Sequence, residues 1–221
     1  MSLHFERELE RLKQQVVALG GLVEESVLKA VQAVSDNSET LASEVITLDH
    51  RIDEAEVEVE EACLKIMALY QPVAIDLRFI VAVLKINNDL ERIGDLSVNI
   101  AKRVALINKD QADFLMPQEI RRMAEASRDM LRSCLDGLIR QDKKLALDVL
   151  AADDEVDALN KHIYDVVKEN LKVGGAHVSS EIHVLTIARK LERMADHATN
   201  IAEDILYMID DTIVRHGGSL A

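Results

Sequence analysis

Apolar residues recur every three to four positions over long stretches of this chain, and the polar breaks between the stretches are short; that pattern predicts six helices. The first runs from about His4 to Val34 and stops at the cluster Ser35-Asp36-Asn37-Ser38. The second covers about Glu39–Leu69, with Leu41, Val45, Leu48, Ile52 and Val59 on its buried side, and Pro72 ends it. The third opens near Asp76 as an N-cap and runs to about Asn108, turning Phe79, Val83, Ile86, Leu90, Ile93 and Ile100 inward. A polar connector, Asn108–Pro117, follows, with Pro117 suited to the first turn of a new helix. The fourth helix spans about Pro117–Arg140 and the fifth about Lys143–Lys172, broken by Gly174-Gly175. The sixth starts near Ser179 or Ser180 and reaches about Val214. Long helices on short connectors pack as antiparallel bundles.

The pattern repeats itself. Residues 84–101 match residues 185–202, with Leu84/Leu185, Ile86/Ile187, Leu90/Leu191, Glu91/Glu192, Arg92/Arg193, Asp95/Asp196, Asn99/Asn200, Ile100/Ile201 and Ala101/Ala202 identical. Upstream, residues 41–53 lie over residues 145–157, and Val27, Val31 and Val34 fall on Leu131, Leu135 and Leu138. The unit is therefore three helices, used twice. The boundary falls near Asp110–Leu115, giving tandem bundles over 1–110 and 111–221.

Composition agrees with an all-α fold: aliphatic residues supply the core, with no Trp, three Phe, three Tyr, eight Gly and two Pro. Charge narrows the function. Forty acidic against 26 basic residues leave a net charge of −14, which repels phosphate backbones and anionic lipid. Nucleic acid is excluded as a partner, and any membrane role must run through another protein. No stretch reaches the roughly 20 apolar residues of a membrane span, and no signal peptide is visible at the start. Cys63 and Cys134 sit inside helical patterns as small buried hydrophobes of a reducing, cytoplasmic setting.

What the repeat keeps on its polar side is more informative. Acidic pairs four residues apart recur at equivalent places: Asp49/Asp53 and Glu91/Asp95 in the first copy, Asp153/Asp157 and Glu192/Asp196 in the second. Residues so spaced share one helix face, and two like charges there cost about 0.2–0.5 kcal/mol per pair. If neighbouring helices bring two pairs together, four carboxylates converge and a cation offsets their repulsion. All-oxygen donors without Cys suit Mg²⁺, Ca²⁺, Mn²⁺ or Fe. Asn99, Asn200 and His197 lie close enough in sequence to support such a site. Any one pair is as well explained by a solvated helix face; recurrence in both copies puts metal ahead. Arg92 and Arg193 are expected to point off the acidic stripe, into ion pairs with a neighbouring helix. No His has Glu or Asp three residues before it, and there is no Walker loop, dinucleotide fingerprint, HExxH or GxSxG. These absences argue against an enzyme.

The duplicated run Leu-x-Ile-x-x-x-Leu-Glu-Arg-Ile-Gly-Asp-x-x-x-Asn-Ile-Ala resembles the signature of the PhoU family. Gln71-Pro-Val-Ala-Ile-Asp-Leu-Arg78, Phe5…Leu9…Leu12 and Leu22-Val-Glu-Glu25 are similar to its other segments. The resemblance covers essentially the whole chain. It implies a cytoplasmic regulator of phosphate uptake that acts beside the phosphate-specific ABC transporter and the phosphate-sensing histidine kinase, damping the starvation response. It also implies iron or zinc clusters at the Glu/Asp-x-x-x-Asp motifs, here the eight carboxylates named above. Two departures stand out: Leu96 where the family often has His, and Met194-Ala195 in place of Ile-Gly. A homodimer is expected. The rival reading is a metal-free helical adaptor with acidic interaction faces, and a weaker third is a metal-dependent phosphohydrolase.

Overall fold

The computed structural model describes residues 3–110, 114–173 and 177–210. They form six helices: α1 (Leu3–Asp36), α2 (Glu39–Tyr70), α3 (Ala74–Asp110), α4 (Gln118–Arg140), α5 (Lys143–Val173) and α6 (Val178–Asp210). No strand is present among the described residues. The Gly174-Gly175 break lies outside them, as does the centre of the expected boundary.

Three helices end without glycine. Asn37, Gln71 and Gln141 take left-handed φ values of 51°, 47° and 51°. The reversal is closed by backbone bonds, Ser38 N–H to the Ala33 carbonyl at 3.1 Å, Gln71 N–H to Met67 at 3.2 Å and Asp142 N–H to Gly137 at 3.0 Å. Ser38 caps α2 through its hydroxyl, which accepts from the Leu41 N–H at 3.4 Å. The third helix begins two residues earlier than expected, at Ala74 with φ 49°, so Asp76 sits in the first turn instead of at the N-cap. Pro117 is the N-cap of α4, one place before its first turn. The Asn108–Pro117 connector is less polar than its sequence suggests: α3 runs on to Asp110, and Phe114 and Met116 are buried, Phe114 against the His177 ring at 5.7 Å.

Within each repeat the three helices pack on the seams their periodicity marks. Val45, Leu48, Ile52 and Val59 of α2 and Val83, Ile86, Leu90, Ile93 and Ile100 of α3 are buried, while Leu41 and Phe79 cover the edge of the core. Each such aliphatic side chain contributes about 1.5–3 kcal/mol when fully buried. Among the described residues α2 packs only on α1 and α3, and α5 only on α4 and α6, so these two helices form the flanks. The repeats meet through α3 on α6 and α1 on α4. The α3–α6 pair is antiparallel: Lys85 meets Asp204 near one end and Asp110 meets Ser179 at the other. One continuous apolar core runs through both repeats. Both cysteines are buried within it, and burial pushes the Cys63 thiol up to about 12 and that of Cys134 higher still.

Candidate metal centre

A close approach between α2 and α3 sets the site in the first repeat. Gly94 lies between Glu91 and Asp95 in sequence, and Ile52 between Asp49 and Asp53. A Cβ at position 94 would stand 3.2 Å from the Ile52 side chain. The bare glycine thus lets α2 press onto α3 at the level where both acidic pairs emerge. In the second repeat Val156 replaces Ile52 and Ala195 replaces Gly94, both fully buried. A methylene is removed from one helix and a methyl added to the other, so the seam keeps its volume. The Met194-Ala195 departure noted in the sequence is in this respect compensated.

The pairs are brought into mutual range. Burial first, then the charges of Asp53 and Asp95, hold the Asp49 carboxyl above the ordinary carboxylate range. Glu91 is raised by burial and then by Asp95, with Glu56 and Asp53 adding smaller increments. Across α5 and α6, burial and the charges of Asp157, Asp196, Asp154 and Glu192 push Asp153 up to about 6. Glu192 and Asp196 are raised too, by burial and then by each acid's neighbours, Asp157 among them in both cases. The arrangement resists the charge its own residue types carry. Among the described residues, however, no three of these side chains stand close enough in their present rotamers to hold one ion. Each of them is partly or fully exposed, so none is locked in place by close packing.

The supporting residues divide. Arg92 does not reach to a neighbouring helix as expected. It folds back along α3, its Nε 3.4 Å from Glu91 and its Nη1 donating to Asp95 at 3.2 Å, and so offsets part of the first cluster's charge. Asn99 donates to the Asp95 carbonyl at 2.7 Å, a bond within its own helix. His197 turns its Nδ1 to Asp89 of α3 at 2.7 Å, and Asn200 donates to the same oxygen at 3.4 Å. These two residues therefore work at the junction between repeats; His197 still lies near enough to Asp196 to lower it slightly.

Two residues of the first cluster were not singled out from sequence. Glu56, one turn beyond Asp53, is raised by burial, Glu60 and Asp53, and the buried Asn87 donates to its side chain at 3.1 Å and to its carbonyl at 3.0 Å. Asn160 and Ala188 stand at the equivalent places in the second copy, so a search for repeated acids passes over them. The i, i+3 spacing from Asp53 was the available signal.

Comparison with known proteins places this architecture. A family model described as the PhoU domain matches the chain twice, over residues 16–104 and 120–205. The phosphate-specific transport system accessory protein PhoU homolog 1 of Thermotoga maritima is 36% identical over 206 residues, covering 93% of this chain and 89% of that protein. The corresponding homolog of Aquifex aeolicus is 38% identical and covers 95% of each. The crystal structure of PhoU from Pseudomonas aeruginosa superposes with a TM-score of 0.91 at 34% identity, covering 94% of this chain and all of that one. With both repeats matched by one domain model, and with relatives and a solved structure aligned along nearly their whole lengths, the chain belongs to the PhoU family.

Proposed function

We propose that this protein is a metal-binding, non-enzymatic regulator of phosphate uptake that works in the cytoplasm beside a phosphate-specific ABC transporter and a sensor histidine kinase. The names of its relatives, accessory proteins of a phosphate-specific transport system, support the transport role. No described helix is long and apolar enough to cross a membrane, so contact with a transporter runs through protein surface. A homodimer is part of the same reading.

The observation that carries the metal reading is the elevated state of carboxyls in both clusters. Asp49, Glu91, Asp153, Glu192 and Asp196 are each raised by burial and then by neighbouring acids of the same cluster. A cation supplies the missing opposite charge, and the donors are oxygens throughout. Asp49, Asp53, Glu91 and Asp95 would hold it in the first repeat, with Glu56 as an added donor, and Asp153, Asp157, Glu192 and Asp196 in the second. Bound there, a di- or trivalent ion such as iron or zinc would screen the acids and tie the flanking helix to the inner one. Element analysis tests this: at least one metal per chain is expected, reduced by Glu91→Ala and by Glu192→Ala. Protein that purifies with less than one equivalent, unchanged in both variants, is a metal-free adaptor instead. The Arg92 pairs with Glu91 and Asp95 favour that second reading for the first repeat. The regulatory role is read in cells: deleting the gene is expected to derepress phosphate-regulated genes in high phosphate, and normal repression would refute it.

A further inference from the structure

The junction between repeats carries charges that a junction between near-identical helices does not need. Along one side of the α3–α6 pair, the Lys85 ammonium donates to Asp204 at 2.7 Å, and Asp89 meets His197 at 2.7 Å and Asn200 at 3.4 Å. Asp89 and Asp204 are both only 8% exposed. Lys85 and Arg78 also approach the Tyr207 ring, at 5.5 and 5.6 Å from its centroid. Asn200 is repeated as Asn99, but the four residues of the two pairs are not: Lys85 corresponds to Thr186, Asp89 to Lys190, His197 to Leu96 and Asp204 to Arg103. The buried apolar positions, by contrast, are largely shared by the two helices, with Leu90 and Ile100 answering to Leu191 and Ile201, and Ile93 to Met194.

A shared seam creates an ambiguity. Because α3 and α6 share much of their apolar framework, a pairing of like helices from two copies is the natural competitor, and misassembly is a characteristic failure of repeat proteins. The polar positions break the tie. In an α3–α3 pairing of the same geometry, Lys85 would lie against Arg103 of the second copy, twice over, and Asp89 would lose His197 to Leu96. In an α6–α6 pairing Asp204 would face Thr186, and Lys190 would replace Asp89 opposite His197. Only α3 against α6 sets opposite charges together at both places; in an α3–α3 pair Asn99, the equivalent of Asn200, could still donate to Asp89, but no cation would face it. We infer that the Lys85–Asp204 and Asp89–His197 pairs form a pairing code that sets unlike repeats together, α3 against α6, and rejects the pairing of like repeats from two chains. Such partly buried polar contacts act chiefly through discrimination, as they do where a polar position fixes the register of a coiled coil.

The test uses the full-length chain, metal-free, unfolded in urea and refolded over a range of concentrations. Light scattering after gel filtration then reads interlocked oligomers as species that survive dilution. Wild type is expected to return to its starting species. The exchanged pair K85D/D204K keeps opposite charges across α3–α6 but places opposite charges, in place of like ones, across α3–α3 (position 85 against Arg103). It is expected to yield a several-fold larger interlocked fraction at equal concentration. The double variant D89L/H197L, which gives position 197 the residue already present at Leu96, is expected to shift in the same direction and decides the matter if K85D/D204K refolds poorly. Interlocked fractions no larger than wild type in the variants that recover full helicity overturn the inference, as does a wild type that interlocks to the same extent.

Discussion

Asp153 shows how far a single side chain can be read. Its carboxyl stands at about 6 against an ordinary 3.8, so between those values the folded protein binds more protons than the unfolded chain. Asp153 therefore takes stability from the metal-free protein as pH rises from about 4 to about 6. Asp153→Asn is expected to stabilise it by on the order of 1 kcal/mol at neutral pH, the shift being discounted because the group is partly solvated. The gain should vanish below about pH 4. Urea titrations across pH give the answer, and a variant no more stable at pH 7 would show the cluster unstrained. At the α2–α3 seam of the first repeat, Ile52→Val alone should cost about 1 kcal/mol. Gly94→Ala alone sets the helix preference for alanine against the 3.2 Å approach to Ile52. Together the two substitutions rebuild the Val156/Ala195 solution, so they should be more stable than the sum of the singles by about 1 kcal/mol. An additive cycle would mean that Ile52 yields freely. Sequence exposed the eight repeated acids because two copies could be compared. It hid Glu56 and Asn87 because the second copy lacks them, and it misdirected Arg92 because a long side chain can curl back along its own helix.

At the scale of the element, the six helices were legible because their apolar spacing and their breaks agree. What spacing cannot place are ends held by backbone geometry: Ala74 begins α3 with a left-handed φ that nothing in Val73-Ala74-Ile75 announces. Nor does a polar string reveal Phe114 and Met116 tucked under the connector, since two apolar residues have no period. The Ser38 cap does have a sequence signal, and Ser38→Ala should destabilise the fold by about 1 kcal/mol, read as a lower urea midpoint with an unchanged slope. A midpoint within error of wild type would mean that the 3.4 Å bond contributes nothing. Helix pairing across repeats lay beyond the sequence altogether. The meeting of Asp89 with His197, residues 108 positions apart, depends on an antiparallel register between α3 and α6, and only packing settles that register.

For the whole molecule, duplication was plain in the sequence, while the joining of the copies was not. The continuous core and the α3–α6 junction lead us to expect one cooperative unfolding transition, with hydrogen exchange in α3 and α6 slowest and equal. Two transitions, one per repeat, would show 1–110 and 111–221 to be independent units. The helices outside that junction are differently placed. Of these, α2 has company only from α1 and α3 and α5 only from α4 and α6; α2 supplies Asp49, Asp53 and Glu56 to its cluster, and α5 supplies Asp153 and Asp157. They are the staves most easily lifted from the barrel. An ion held between stave and centre stabilises the closed form by RT ln(1 + [ion]/Kd) and leaves the lifted form unaided. Metal supply would then be written into the protein as the fraction of time α2 and α5 spend loose, a quantity that slower amide exchange in those two helices alone would reveal.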